Sequence, residues 1–134
     1  MKKLTKKYIW EKFVSPYIRL RDSDWNGYGN CISCNKKIFW KEGHAGHFLP
    51  KSRGDIIYFE EDNIHLQCSA CNCYGSNDTG YDYGKALERK IGQDRIYRLK
   101  ELQGKTKKFT ASQLKIIRDL YAQKLEEIKK IRGI

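Results

Sequence analysis

The stretch Asn63-Ile-His65-Leu-Gln-Cys68-Ser-Ala-Cys71-Asn72 contains a Cys-x-x-Cys pair, and a second pair, Cys31 and Cys34, lies upstream across 33 intervening residues. Each pair is a short knuckle that turns the chain so that two thiolates point at one ion. Two knuckles together predict a tetrahedral zinc site made of Cys31, Cys34, Cys68 and Cys71. A fifth cysteine, Cys73, fits a two-residue knuckle less well than Cys71 does and is expected to stay a free thiol near the start of a helix. Two disulfides are the competing use of the same sulfurs, and they need an oxidising compartment. In the first residues, MKKLTKKYIWEKF, Glu11 and Lys12 interrupt any apolar leader before a cleavage site can form. Zinc is therefore the expectation, in a protein that stays in the compartment where it is made.

Upstream, Leu4, Tyr8, Ile9, Phe13, Tyr17, Ile18 and Leu20 recur at helical spacing. Pro16 cannot donate a backbone hydrogen bond and crowds the preceding turn, which predicts a break, with Ser15 capping a short second helix. The turn-rich residues 22–30 lead into the first knuckle. Lys37 to Trp40 reads as a strand, and His44 to Pro50 as another extended piece ending in the loop Pro50-Lys-Ser-Arg-Gly54. Asp55 to Phe59 and Asn63 to Gln67 are expected to complete a hairpin about Glu60-Glu-Asp62. Past Cys73, a glycine- and asparagine-rich loop is expected to reach Gly80, and helical spacing through Tyr83, Ala86, Leu87, Lys90 and Ile91 closes at Gly92. A further helix covers Asp94 to Gln103, with Gly104 as its C-cap. After the basic run Lys105-Thr-Lys-Lys108, a capping box Thr110-Ala-Ser-Gln113 opens a long amphipathic helix through Leu114, Ile117, Tyr121, Leu125, Ile128 and Ile131. Its apolar stripe is expected to pack on the N-terminal helix or on a second subunit.

The reading is one α+β domain over 1–134, with a helical segment at 1–24, a zinc-bound core at 25–92 and C-terminal helices at 93–134. A knuckle, a hairpin and a second knuckle opening into a helix make a treble clef. There zinc clamps hairpin to helix and supplies folding energy that a small core lacks.

The chain has 134 residues, 40% of them hydrophobic, with 27 Lys+Arg against 16 Asp+Glu, a formal net charge of +11. A mean hydropathy of −0.76, with no apolar run near the roughly 20 residues of a spanning helix, excludes a membrane protein. Such a basic chain points to an anionic partner, nucleic acid first among them, against the alternative of a merely solvated surface.

All three histidines, His44, His47 and His65, fall within 22 residues. A lone histidine is usually a surface or structural residue, but this clustering favours a site. The strand carrying His47 should face the helix start carrying Asn72, forming a polar pocket beside the zinc. A neutral imidazole can take a proton from water, a divalent cation can neutralise charge growing on a phosphate, and an Asn amide can bind that cation or orient the imidazole.

The spacing GH(47)…N(63)xxxxCxxCN(72) resembles the HNH, or ββα-metal, nuclease motif in its four-cysteine form, with Asn in the third position. More specifically, the chain resembles the phage recombination protein family called NinG or Rap. The stretches YIRLRDSD, CxxC, WKEGHAGHF, FEEDNIHLQCSACN, YDYGKALERKIG and TKKF carry this likeness in order over most of the chain. The resemblance implies a structure-directed endonuclease acting on D-loops and Holliday junctions, in the host cytoplasm if phage-encoded. Position by position, it implies His47 as general base, Asn63 as the central Asn of the motif, Asn72 as the third-position metal ligand, and His65 as a histidine usual in the family. Many HNH enzymes place Asp directly before the base; here that residue is Gly46. Family members also have Gly there, often with Asp three residues before the base, where this chain has His44. That leaves His44 or His65 to substitute for the carboxylate, a nitrogen-rich set that suits Mn2+ as well as Mg2+.

The mechanism so implied holds one divalent ion through Asn72 with His44 or His65, while His47 activates water in line with the scissile phosphate, leaving 5′-phosphate and 3′-hydroxyl ends. Lys51, Arg53, Lys105, Lys107 and Lys108 are candidate phosphate contacts, with Lys2, Lys3, Lys6 and Lys7 behind them. Trp25, Trp40, Tyr74 and Tyr81 are candidate stacking platforms for unpaired bases, although core packing is the preferred reading for Trp40. A competing reading is a non-catalytic zinc module that binds branched or single-stranded DNA as an accessory factor. Symmetric resolution of a junction favours a homodimer, for which the last helix offers a surface.

Overall fold

The computed structural model describes residues 3–75, 77–105 and 108–134. The N-terminal arm is one continuous helical rod: α1 (Lys6–Ile9), a π-helical turn (Trp10–Val14) and α2 (Ser15–Arg21), capped at its start by Thr5 Oγ1, which accepts from Tyr8 N at 3.1 Å. The break predicted at Pro16 does not occur. Pro16 sits in the first turn of α2, and the wider π turn before it relieves both the missing donor and the clash with the turn behind. Ser15 is helical and does not cap α2, whose N-cap position is Val14; its Oγ accepts from Arg19 Nε at 3.2 Å. The π turn also sets the packing. Ile9 and Val14 are five residues apart, out of phase on a regular α-helix, yet with Ile18 they are all fully buried in one cluster.

Strands β1 (Tyr28–Asn30) and β2 (Lys37–Phe39) form one antiparallel pair, with the first knuckle between them. β3 (His44–His47) and β4 (Ile64–Gln67) form the other, in the register His44↔Gln67, Ala45↔Leu66, Gly46↔His65 and His47↔Ile64. Asp55–Phe59, expected as a strand, is instead the short helix α3, set between 3-10 turns at Lys51–Arg53 and Glu61–Asn63. Ile57, Tyr58 and Phe59 are all buried, which strand alternation would split between two faces. Asp55 anchors the helix: its carboxylate takes Lys6 Nζ at 2.7 Å and Phe109 N at 2.7 Å, tying both terminal arms to the core.

Beyond the second knuckle come α4 (Ser69–Tyr74), α5 (Asn77–Ile91), α6 (Gln93–Leu102) and α7 (Ala111–Arg132). α5 begins at Asn77, earlier than the loop expected to reach Gly80. The C-cap of α6 is Gln103 in right-handed helical geometry, not Gly104. The Thr110–Gln113 capping box forms as read, and α7 ends at left-handed Gly133, φ 72°. Side chains alternate across the β3–β4 hairpin, so its two faces meet different partners. Ala45 and Ile64 pack on the N-terminal rod and Tyr121 of α7. On the other face, His65 meets Tyr83 of α5. Asp22 locks these layers, accepting from Leu66 N (2.9 Å), Arg21 Nε (2.8 Å) and Lys90 Nζ (3.1 Å). Burial pushes its carboxyl up, but Arg21 outweighs that and holds it at about 2. No described helix is long and apolar enough to cross a membrane.

Candidate functional site

The two knuckles bring the ligand atoms of Cys31, Cys34, Cys68 and Cys71 within 4.8 Å of one another, with Cys34 Sγ 3.8 Å from Cys68 Sγ. Sulfurs at about 2.3 Å from one tetrahedral zinc stand roughly 4 Å apart, so the set fits such an ion. Asn35, left-handed at φ 64°, closes the first knuckle, donating its N–H to Cys31 O at 2.8 Å. In the second, Cys68 caps α4, its Sγ accepting from Cys71 N at 3.4 Å. Burial pushes the Cys68 thiol up, but these local donors bring it to about 7, while burial and the neighbouring sulfurs push Cys34 and Cys71 up, so one thiolate is shared among sulfurs packed together. Cys73 stands outside the cluster, exposed, with Sγ 3.8 Å from His44 Nδ1.

Beside this clamp is a cavity of about 440 Å³ lined by Trp10, Ala45, His47, Pro50, Lys51, Ser52 and Asn72. His47 Nε2 lies 2.8 Å from Tyr58 O. A carbonyl only accepts, so Nε2 carries the proton and Nδ1 keeps a free lone pair. Trp10 stacks on the imidazole, centroids 4.6 Å apart and planes 21° from parallel. Burial lowers the pKa of His47 from the ordinary histidine value, and Lys51 pushes the same way against the opposing Tyr58 carbonyl. The ring is therefore neutral at physiological pH. Asn72 lies on α4 with Nδ2 donating to His44 Nδ1 at 3.1 Å. The structure thus gathers His44, His47 and Asn72 along β3 and its edge.

Asn63 and His65 are not brought into this cavity. Asn63 is fully buried; its Nδ2 donates to Leu49 O (2.9 Å) and Ile57 O (3.2 Å), and its Oδ1 accepts from Leu49 N (2.7 Å). It clamps the loop that follows the imidazole and is a positioning residue. Asn63→Ala is expected to cost about 2–4 kcal/mol in chemical denaturation, because buried partners lose their hydrogen bonds. Asn63→Asp should not rescue it, since a carboxylate cannot donate to the two carbonyls.

His65, expected as a catalytic group or metal ligand, is 2% exposed and points to the opposite face of the hairpin from His47, lining a separate cavity of about 890 Å³. Tyr83 Oη donates to Gly46 O at 2.7 Å, so His65 Nδ1, 3.3 Å from that oxygen, must be the donor to it. His65 thus braces β3 from behind. Burial, with Lys90 and Arg21, drives its pKa to about 3. The unfolded chain binds a proton near the ordinary value of about 6.5, so this term is fully stabilising above 6.5 and is lost as pH falls towards 3. Urea midpoints should accordingly fall less between pH 7 and pH 5 in His65→Gln than in the wild type.

Lys51 sits on the cavity rim, its Nζ 5.8 Å over the Tyr58 ring, and Arg53 is exposed on the same turn. Lys105 and Lys108 are exposed between α6 and α7, whereas Lys2 and Lys107 lie outside the described residues. Trp25, Tyr74 and Tyr81 are exposed; Trp40 is half-buried, with Arg19 over its ring at 5.6 Å. Two residues that sequence reasoning missed complete the neighbourhood. Trp10 is aimed by the π turn, which local sequence pattern does not reveal. Gln67 fills the space over Gly46, where a Cβ would collide with its Oε1; it pairs with His44 and reaches Gly46 diagonally across the register, which no local sequence pattern signals.

No solved structure matches the chain. Among curated proteins it is 30% identical over 123 residues to protein ninG of Escherichia phage lambda and to that of Salmonella phage P22, and 29% identical to that of Escherichia phage 933W. In each case the match covers 92% of this chain and 57–58% of the relative, so the chain spans less than two thirds of their length. The family model described as "Bacteriophage Lambda NinG protein" matches residues 2–131, and the chain belongs to that family.

Proposed function

We propose that this protein is a metal-dependent, structure-selective DNA endonuclease of the HNH type that cuts branched recombination intermediates, D-loops and Holliday junctions, in the host cytoplasm. Its treble clef is closed by a structural zinc on Cys31, Cys34, Cys68 and Cys71, and Asn72 with His44 holds Mg2+ or Mn2+. The observation that carries this reading is the His47 imidazole, tautomerically fixed by Tyr58 O with Nδ1 unprotonated, lining a cavity shared with Lys51 and Asn72.

Bound there, the cation would supply charge neutralisation at the scissile phosphate and the leaving oxygen. The chain's residues do the rest. His47 Nδ1 accepts the proton of the attacking water, Trp10 and Tyr58 hold the ring in one orientation, and Asn63 fixes the loop that presents Lys51 and Arg53 to the phosphate backbone. A charge of +11 draws in and retains DNA. A two-fold cut across a junction calls for two copies. The apolar stripe of α7 is largely spent on the N-terminal rod, although Ile116 and Leu120 stay exposed.

The test is cleavage of end-labelled four-way junctions, D-loops and linear duplex by zinc-loaded protein with Mg2+ or Mn2+. Branch-proximal cuts leaving 5′-phosphate and 3′-hydroxyl ends are expected. The bare Gly46 favours one alternative, a non-catalytic zinc module binding branched or single-stranded DNA. Tight junction binding without cleavage under either metal decides for it.

A further inference from the structure

The backbone at Gly46 passes under two carboxamide oxygens. A Cβ there would collide with Gln67 Oε1 and stand 3.1 Å from Asn72 Oδ1, so both oxygens lie beside the bare backbone of β3. Gln67 pairs with His44 in the β3–β4 register and projects to the same face. It is 4% exposed, and its Nε2 donates to Ser33 Oγ at 2.9 Å, which leaves Oε1 as the end turned towards Gly46. Neither carboxamide oxygen accepts a hydrogen bond from a described side chain. No described side-chain polar atom is sealed off without a partner, so Gln67 Oε1 reaches solvent. His44 Nδ1, 3.1 Å from Asn72 Nδ2, stands at the edge of the same group. Gln67 Oε1 and Asn72 Oδ1 thus border the same space beside Gly46 with no donor from a described side chain on either, and a cation there is attracted by both carbonyl dipoles.

We propose that Gln67 Oε1 is a ligand of the divalent cation, alongside Asn72 Oδ1 and His44, whose Nδ1 exchanges its hydrogen bond from Asn72 Nδ2 for the ion. The glutamine reaches across from β4 into the space that a side chain at position 46 would otherwise take, and glycine is required there to admit it. All three ligands are neutral, and amide oxygens suit hard ions such as Mg2+ and Mn2+. The ion therefore keeps its full double charge until a phosphate arrives, so the site is weak in free protein and is tightened by DNA. This assignment rests on the nuclease reading for the purpose of the ion, but not for its ligands.

The test is Mn2+ binding to the zinc-loaded full chain without DNA, read by the EPR signal of free Mn2+, with zinc content and circular dichroism recorded for every variant. Gln67→Ala should weaken Mn2+ binding about tenfold or more while retaining zinc. Gln67→Glu keeps the length and packing of the side chain and adds a charge, and it should bind Mn2+ about tenfold more tightly than the wild type. Gly46→Asp in the Gln67→Ala background puts a carboxylate into the vacated space and should recover binding. Mn2+ affinity that stays at the wild-type level in both Gln67→Ala and Gln67→Glu overturns the assignment, as does a double variant no tighter than Gln67→Ala. Junction cleavage is scored separately. The Mn2+ pattern without cutting keeps the ligand and removes the nuclease, whereas cutting without the pattern does the reverse.

Discussion

Serine at Cys68 or Cys71 is expected to abolish the cooperative thermal transition and the bound zinc together. Among the described residues, the apolar cluster at the knuckles holds only Ile38 and Leu66 besides the cysteines themselves, and α4 spans six residues, far short of the roughly 12–15 at which an isolated helix becomes even marginal. The exposed Asn72–His44 hydrogen bond is, among the described residues, a far weaker tie between α4 and the hairpin. A structural zinc contributes about 10–16 kcal/mol, as much as the entire stability of a typical domain, about 5–15 kcal/mol. Losing one of four thiolates therefore leaves little of the folded state. Zinc quantification and a calorimetric melt measure this directly, and a strong chelator should reproduce the effect on the unmodified chain. Cys73→Ser, whose sulfur stands outside the cluster, should keep one zinc per chain and an unaltered melt. A Cys68→Ser protein that melts cooperatively at the wild-type temperature would refute the clamp.

The knuckles were legible in the sequence because ligand spacing is a local property: two residues between cysteines decide where the sulfurs point, whatever the rest of the chain does. The capping box of α7 was legible for the same reason. What escaped local reading depends on neighbours distant in sequence. Pro16 reads as a helix break until the π turn before it is seen to absorb the missing bond. Asp55 to Phe59 has strand-like composition, and it coils instead because Ile57, Tyr58 and Phe59 are all buried while Asp55 is held by Lys6 and Phe109 N from the two terminal arms. Asn63 and His65 carry the letters of a motif, but letters do not separate a group that meets the cavity from one that braces the backbone behind it; the hairpin register does. Gln67 was invisible until that register set its oxygen over Gly46.

His47→Ala should lower the rate of junction cleavage by about 10²–10⁴-fold, the range for a positioned general base, while zinc content and junction affinity hold. The pH profile discriminates further. Burial sets the His47 pKa below the usual histidine value, Lys51 depresses it again, and the Tyr58 carbonyl only partly opposes them; a bound cation acts in the same direction as Lys51. A base must be unprotonated to work, so its working fraction is near complete at and above neutral pH, and the rate falls only on the acid side, below about 6.5. Lys51→Glu replaces a repelling charge with an attracting one. It should raise the His47 pKa and move the acid limb to higher pH, and it should also weaken DNA binding and flatten its salt dependence by about one counterion. If Lys51 served only as a phosphate contact, affinity would change and the acid limb would stay where it was. A profile with no acid limb in the wild type, or cleavage by His47→Ala at the wild-type rate, takes the imidazole out of the reaction, and the cavity beside the zinc must then be a binding surface.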